Sequence, residues 1–224
     1  MRNPRPGSYD LPIMSAPAFQ RLDWGRIPYA RALAEMRRLH ARRAEGRGRD
    51  ALICCEHPPV LTLGRHADPS HILASQAELA VQNISVHQVE RGGQVTYHGP
   101  GQAVVYLVIA LGPRGLGVRR LVEGIARAVC ATAAEFGVEA VYDPQRPGAW
   151  VRGRKLAAIG LAVRHGVTMH GLAMNVTTNL SHFDYIRACG LQAQATSLAL
   201  ETGAAPPLEL VYDSLCQHLG RELA

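Results

Sequence analysis

Apolar and polar positions alternate along the chain in patterns that predict most of its elements. Tyr29, Leu33, Met36 and His40 fall on one side of a helical wheel, with Arg31, Arg37, Arg38 and Arg42 opposite. That spacing predicts an amphipathic helix from about Ile27 to the polar, glycine-containing stretch 45–50. Ala51 to Cys55 and Val60 to Leu63 are short apolar runs split by Pro58-Pro59, which fits two buried strands or one interrupted strand. Ser75 and Glu78 have the spacing of a capping box. Val86 to Glu90 reads as strand, Arg91 to Gln102 as loop, and Ala103 to Leu111 as a fully buried strand.

Val118, Leu121, Val122, Ile125, Val129, Ala133 and Phe136 recur at helical spacing, giving a helix of about five turns that Gly137 is placed to end. Val138 to Tyr142 reads as strand. Three more strands, Ala149 to Val151, Leu156 to Val163 and Thr168 to Val176, are joined at Arg152-Gly153 and His165-Gly166, where glycine permits tight reversal. Leu208, Val211, Tyr212, Leu215 and Leu219 make a closing amphipathic helix. Residues 1–17, rich in Pro and Gly, read as a loose arm, and 18–224 as one domain. Mixed strands, hairpins and helices give an α+β fold, a mixed sheet flanked by helices.

Composition narrows the possibilities. With 47% hydrophobic and 19% charged residues in 224, the chain can bury a real core and is not disordered over most of its length. No apolar run approaches a membrane span and the N-terminus lacks a secretory block, so the expectation is a cytoplasmic protein with no membrane partner. The five cysteines at 54, 55, 130, 189 and 216 form no C-x-x-C pair, so neither a disulfide framework nor a zinc knuckle is indicated, and no metal is expected. A net charge of +6 favours an acidic macromolecular partner. Only 5% of residues are aromatic and no RNA-binding or helix-turn-helix pattern is present, so nucleic acid is not that partner. The positive charge comes from 23 arginines and a single lysine, Lys155. In a chain that otherwise writes arginine, the lone lysine points to a task guanidinium cannot perform, such as proton transfer.

Chemistry concentrates in four stretches. Between two strands, Arg91-Gly-Gly-Gln-Val-Thr-Tyr-His-Gly-Pro-Gly-Gln102 combines backbone able to approach a ligand with the side chains of Arg91 and His98. It lacks the Gly-Lys-Ser/Thr ending of a Walker loop, and the strand that follows excludes a dinucleotide fingerprint. Arg146-Pro-Gly-Ala-Trp-Val leads into Arg154-Lys155-Leu-Ala-Ala-Ile-Gly160, where Ala157, Ala158 and Gly160 leave space on the sheet. Val167-Thr-Met-His-Gly-Leu-Ala-Met-Asn175 carries His170, which as a single histidine on a strand fits a core position at least as well as a catalytic one. Ala188-Cys-Gly-Leu191 precedes Thr196-Ser-Leu198. Cys54, Cys55 and Cys130 read as small core hydrophobes and Cys216 sits on the last helix, whereas Cys189 stands in a loop-like context before glycine. A cysteine beside a cation is the general recipe for an activated thiolate.

Taken in order, these blocks resemble the lipoyl(octanoyl) transferase family over roughly Gly64 to Leu198. The resemblance implies transfer of an octanoyl or lipoyl chain from the phosphopantetheine arm of acyl carrier protein to a specific lysine. Lipoyl domains of 2-oxoacid dehydrogenase complexes and the glycine cleavage H protein would be the acceptors. It implies the fold of the lipoate and biotin protein ligase catalytic domain, and no ATP or metal. By the same resemblance Cys189 is the acyl-thioester nucleophile and Lys155 lowers its pKa. Arg91, Gly92, Gly93, Gln94, Val95, Thr96, Tyr97 and His98, with Ala158, Ile159, Gly160, Gly171, Leu172 and Ala173, line the acyl-substrate site. The family commonly has proline before the nucleophile, where this chain has Ala188. Two rival readings share some of these features: an ATP-dependent lipoate or biotin ligase, which needs no nucleophilic cysteine, and a cysteine hydrolase using His98 or His170.

Overall fold

The computed structural model describes residues 19–187 and 194–224. The expected arm 1–17 and the segment holding Ala188, Cys189, Gly190 and Leu191 lie outside the described residues.

A seven-stranded mixed sheet forms the centre. Its order is β1 (Gln20–Arg26), β2 (Ala51–Glu56), β6 (Gln102–Val108), β10 (Val167–Asn175), β9 (Arg154–Arg164), β8 (Gly148–Val151) and β7 (Val141–Tyr142). β1 runs parallel to β2 and every other neighbouring pair is antiparallel. A second sheet of three strands, β4 (Ser85–Gln88), β3 (Val60–Leu63) and β5 (Val95–His98), lies in that order. Pro58-Pro59 thus separates two strands that belong to different sheets.

Side-chain alternation divides the large sheet between two cores. Leu52, Cys54, Val105 and Leu107 meet the stripes of α3 (Val118–Glu135) and α5 (Leu208–Glu222). Ile53, Cys55, Val104 and Tyr106 face α1 (Tyr29–Ala44), whose Ala32, Leu33 and Met36 cover them. The small sheet builds a third core around Leu61, Val95 and Tyr97, closed by Leu79 of α2 (Gln76–Val81). Ser75 and Glu78 cap α2 reciprocally, with Ser75 N donating to Glu78 Oε2 at 2.7 Å. Positive φ at both Arg152 and Gly153 and at both His165 and Gly166 gives the two hairpins the twist that strand pairs require.

Three expectations change. The stretch 91–102 is not all loop: Val95 to His98 pair with β3, because their β-branched and aromatic residues have an apolar core to fill. The strand expected at 138–142 shrinks to Val141–Tyr142, paired only with β8. β1 and the short α4 (Leu198–Thr202) were not read at all.

Gly171 shows how closely β10 and β6 approach. A Cβ there would overlap the Val105 carbonyl oxygen and stand 2.6 Å from Leu107 Cδ1. Backbone cannot give way as a side chain can, so Gly171→Ala is expected to destabilise the fold by about 1–3 kcal/mol in urea unfolding. An unchanged midpoint would show that the strands can separate.

Candidate active site

On the α1 side of the large sheet lies a cavity of about 520 Å³, within the size range of small-molecule sites. Its floor is the pairing of Gly171 with Gly160 and of Ala173 with Ala158, four small residues on neighbouring strands. β9 is interior to the sheet, yet Ala158 to Leu161 remain half-exposed because they face this space. Its roof is the segment Arg91 to Thr96.

The roof is held by its own arginine. Arg91 is buried, and its Nε and Nη2 donate to Thr62 Oγ1 at 3.2 and 2.8 Å. Nη2 also donates to Thr62 O at 2.7 Å, while Nη1 donates to the carbonyls of Gly92 and Gln94 at 3.0 and 2.9 Å. Gly92 N in turn donates to Leu161 O at 2.8 Å, fastening the loop to β9. Gly64 carries no side chain where a Cβ would strike Gly93 O.

Lys155 opens β9 and lines the same cavity. Its ammonium stands 4.7 Å from the centre of the Trp150 ring, over which Arg146 also lies at 4.4 Å. Its backbone receives the chain that follows the undescribed residues: Lys155 N donates to Gln194 O at 2.8 Å, and Thr196 N donates to Lys155 O at 2.9 Å. Glu201 of α4 accepts from Arg154 at 2.8 Å and from Thr196 Oγ1, tying that segment to the start of β9.

A chain of hydrogen bonds joins the roof to this segment. Asn175 Nδ2 donates to Thr196 O at 2.9 Å, so its Oδ1 is the acceptor for Gln102 Nε2, also at 2.9 Å. Gln102 Nε2 reaches Tyr97 O as well, which leaves Gln102 Oε1 to accept from His98 Nδ1 at 2.8 Å. His98 therefore carries its proton on Nδ1 and a lone pair on Nε2. Burial pushes its pKa down to about 3. His57 is fixed in the same way: Nδ1 donates to Ile27 O at 2.8 Å, burial lowers its pKa to about 4, and Nε2 accepts from Tyr106 Oη at 2.7 Å.

His170 projects into the cavity from a left-handed backbone position, φ 60°, which costs of order 1 kcal/mol for a residue with a Cβ. Its buried Nε2 has no hydrogen-bond partner and lies 3.8 Å from Glu90 Oε2. Burial lowers the His170 pKa, while the His170 imidazole and the Arg37 guanidinium hold the Glu90 carboxyl well below its usual range.

The structure brings Lys155 and the expected substrate-lining residues to one cavity, with the exception of Tyr97. Tyr97 turns into the third core, where its hydroxyl meets His182 Nδ1 at 2.8 Å. Cys189 lies outside the described residues. Tyr29, Tyr106, His170, Gln145 and Arg146 also line the cavity and were not among the expected site residues. Tyr29 and Tyr106 look like ordinary core positions in their helix and strand, and only the packing of α1 against β6 reveals them. Among the described residues no group of three or more His, Cys, Asp or Glu is placed to hold a metal ion, and no helix is long and apolar enough to cross a membrane.

The fold is that of solved lipoate and biotin ligases. A putative lipoate protein ligase from T. acidophilum with bound lipoic acid superposes with a TM-score of 0.72 at 15% identity, covering 92% of this chain and 86% of that one. A biotin protein ligase from Aquifex aeolicus, in complex with biotin and ATP, gives 0.56 at 10% identity, covering 92% and 70%. Residues 28–220 match the family described as Lipoyl protein ligase A/B catalytic domain. Within it, the octanoyltransferase of Chloroflexus aggregans is 44% identical over 199 residues, 87% of this chain and 90% of that protein. The chain belongs to the octanoyltransferase family of lipoyl protein ligase A/B catalytic domains. It is an acyltransferase.

The buried neutral histidines make folding depend on pH. His57 and His98 titrate near 6.5 when unfolded but near 4 and 3 when folded, so between those values the unfolded chain binds protons that the native state refuses. Stability is full above 6.5 and falls as pH drops. Between pH 7 and pH 5 the two rings together are expected to remove roughly 3–4 kcal/mol, read from urea unfolding at each pH. Equal stability at both would show that both rings take up protons in the fold as readily as in the unfolded chain.

Proposed function

We propose that this octanoyltransferase moves its acyl group through Cys189, from the phosphopantetheine thioester of an acyl carrier protein to a lysine of a lipoyl domain. The observation that carries the reading is convergence. The only lysine of the chain, the Arg91 to Thr96 segment and the small residues of β9 and β10 come from three separate parts of the sequence and line one cavity.

Two exchanges suffice. In the first, the Cys189 thiolate attacks the donor carbonyl and the carrier thiolate leaves, taking up the proton that Cys189 gave up. A thioester is exchanged for a thioester, so the step is nearly isoenergetic and calls for no nucleotide. In the second, the neutral amine of the acceptor lysine attacks, the carbon–sulfur bond breaks, and an amide forms downhill. The Cys189 thiolate leaves, and the extra proton on nitrogen passes to a base. Lys155 fits both tasks: as a cation it favours the thiolate, and as an amine it takes the acceptor's proton. The ligase neighbours share the fold alone, and the cysteine route dispenses with their nucleotide because the donor arrives already activated.

The other cysteines compete poorly. Burial pushes the Cys55 and Cys130 thiols upward, keeping them protonated, and Cys54 stands buried against Cys216 with their sulfurs 3.5 Å apart. Incubation with octanoyl carrier protein should therefore add one octanoyl mass to the peptide holding Cys189, with or without ATP. Mass on Cys54, Cys130 or Cys216, or a strict need for ATP, would reject the mechanism.

Lys155→Arg separates the two roles of the lysine. Guanidinium keeps the charge but does not deprotonate. The variant should still form acyl-enzyme while transferring to the acceptor at least tenfold more slowly in single turnover, and Lys155→Ala should lose both steps. Normal transfer by the arginine variant would leave Lys155 as a charge only.

A further inference from the structure

Hydrogen-bond bookkeeping at the inner end of the cavity points to a preference among acyl chains. Tyr106 gives its only proton to His57 Nε2, because His57 Nδ1 is committed to a backbone carbonyl. What Tyr106 turns to the cavity is a lone pair. His98 gives its proton to Gln102, and its Nε2 makes no hydrogen bond to any described residue. His170 Nε2 faces the Glu90 carboxylate, which favours the proton on that nitrogen and the lone pair on Nδ1. Against these three acceptors stand two hydroxyls of the cavity lining, that of Tyr29, whose ring is stacked on His98 at 6.2 Å between centroids, and that of Thr96. The inner end is short of protons, and a buried acceptor without a donor is costly.

This end lies away from the reacting groups. Lys155 reaches forward along β9: its Cε stands 3.6 Å from where a Cβ of Gly148 would lie, and Gly148 pairs with Ala158, two positions from Gly160. Gly160 pairs with Gly171 and Gly171 with Tyr106, so from the level of Ala158 to Tyr106 is roughly 12 Å at a strand rise of about 3.3 Å and a strand spacing of about 4.8 Å. An extended eight-carbon chain spans roughly 9 Å at C–C bonds of about 1.5 Å. With its carbonyl near the lysine, its far end points toward Tyr106, His98 and Tyr29.

We propose that the Tyr106, His98 and His170 acceptors form a subsite for a hydrogen-bond donor on the distal carbons of the acyl chain, a hydroxyl or a thiol. This rests on the octanoyl-transfer reading for the direction of the chain. With plain octanoyl, water supplies the missing protons, since the space is polar and the acceptors converge. A distal hydroxyl replaces that water. A longer apolar chain expels it and leaves the acceptors bare.

The test compares octanoyl, 8-hydroxyoctanoyl and nonanoyl thioesters of one acyl carrier protein, with one lipoyl domain as acceptor. The last two have equal numbers of heavy atoms. The wild type should favour 8-hydroxyoctanoyl over nonanoyl at least tenfold in kcat/KM, and Tyr106→Phe and His98→Phe should each bring that ratio toward one. The ratio is internal to each preparation, so loss of folded enzyme cancels. An apolar inner end would reverse the preference, and a wild-type ratio of one or less overturns the subsite. A ratio unmoved in both variants overturns the assignment to these residues. Octanoyl transfer in the wild type upholds the functional reading separately, and failure to transfer any of the three overturns that reading and the subsite with it.

Discussion

The Arg91 guanidinium is the interaction on which the cavity depends. A buried cation is tolerable only when its donors meet acceptors, and here they meet Thr62 on β3 and the carbonyls of Gly92 and Gln94. Those bonds fold the glycine-rich segment back on itself and set it over β9, where Gly92 N reaches Leu161 O. The closeness has a sequence cost on the other side. A Cβ at Gly160 would stand 3.2 Å from Arg91 Cδ and 3.3 Å from Gly92 O, so a larger residue there would push the roof away. The small sheet carries the roof, the large sheet carries the floor, and one arginine fixes the distance between them.

The polar chain from His98 to Thr196 does the same work for the chemistry. Both ends meet backbone carbonyls, Tyr97 O at one and Thr196 O at the other, so each amide has one orientation and each histidine one tautomer. Thr196 N is also bonded to Lys155 O. The position of His98 and that of the lysine backbone are therefore set by one connected network. In a low-dielectric interior such a network is strong while every member is satisfied, and fails when one is removed.

Much of this was legible in the sequence, and the exceptions share a cause. Helical spacing located α1, α3 and α5, and glycine at 153 and 166 located both hairpins, because these signals are local. β5 was hidden by the glycines on either side of it, although Val95 and Tyr97 already alternate as a strand should. β1 was missed because Gln20–Arg26 is half-exposed at the sheet edge and carries little apolar pattern. In the site, Lys155 stood out by rarity and the glycine-rich blocks by composition. Arg91, expected at the substrate, lines the cavity, and its contacts with Thr62, Gly92 and Gln94 also hold the loop, a second task that only coordinates reveal. Tyr29, Tyr106 and His57 belong to three elements far apart in sequence, and nothing in any one of them announces the others.

The fold is shared with lipoate and biotin protein ligases, solved with bound lipoic acid and with biotin and ATP, and the trough of small residues suits the acyl transfer proposed for this chain. Under the proposed reaction, a floor of Gly171, Gly160, Ala173 and Ala158 leaves room for an extended acyl chain. Under the same proposal, the choice of chemistry falls to the groups near the carbonyl, Lys155 among them. In the proposed reaction the carrier delivers the carbonyl already as a thioester. The site then needs only a nucleophile, a base, and a surface that admits two protein partners in turn. The +6 charge of this chain, carried almost wholly by arginine, would suit the proposed carrier and acceptor wherever they are acidic, because steering at long range requires sign and not shape.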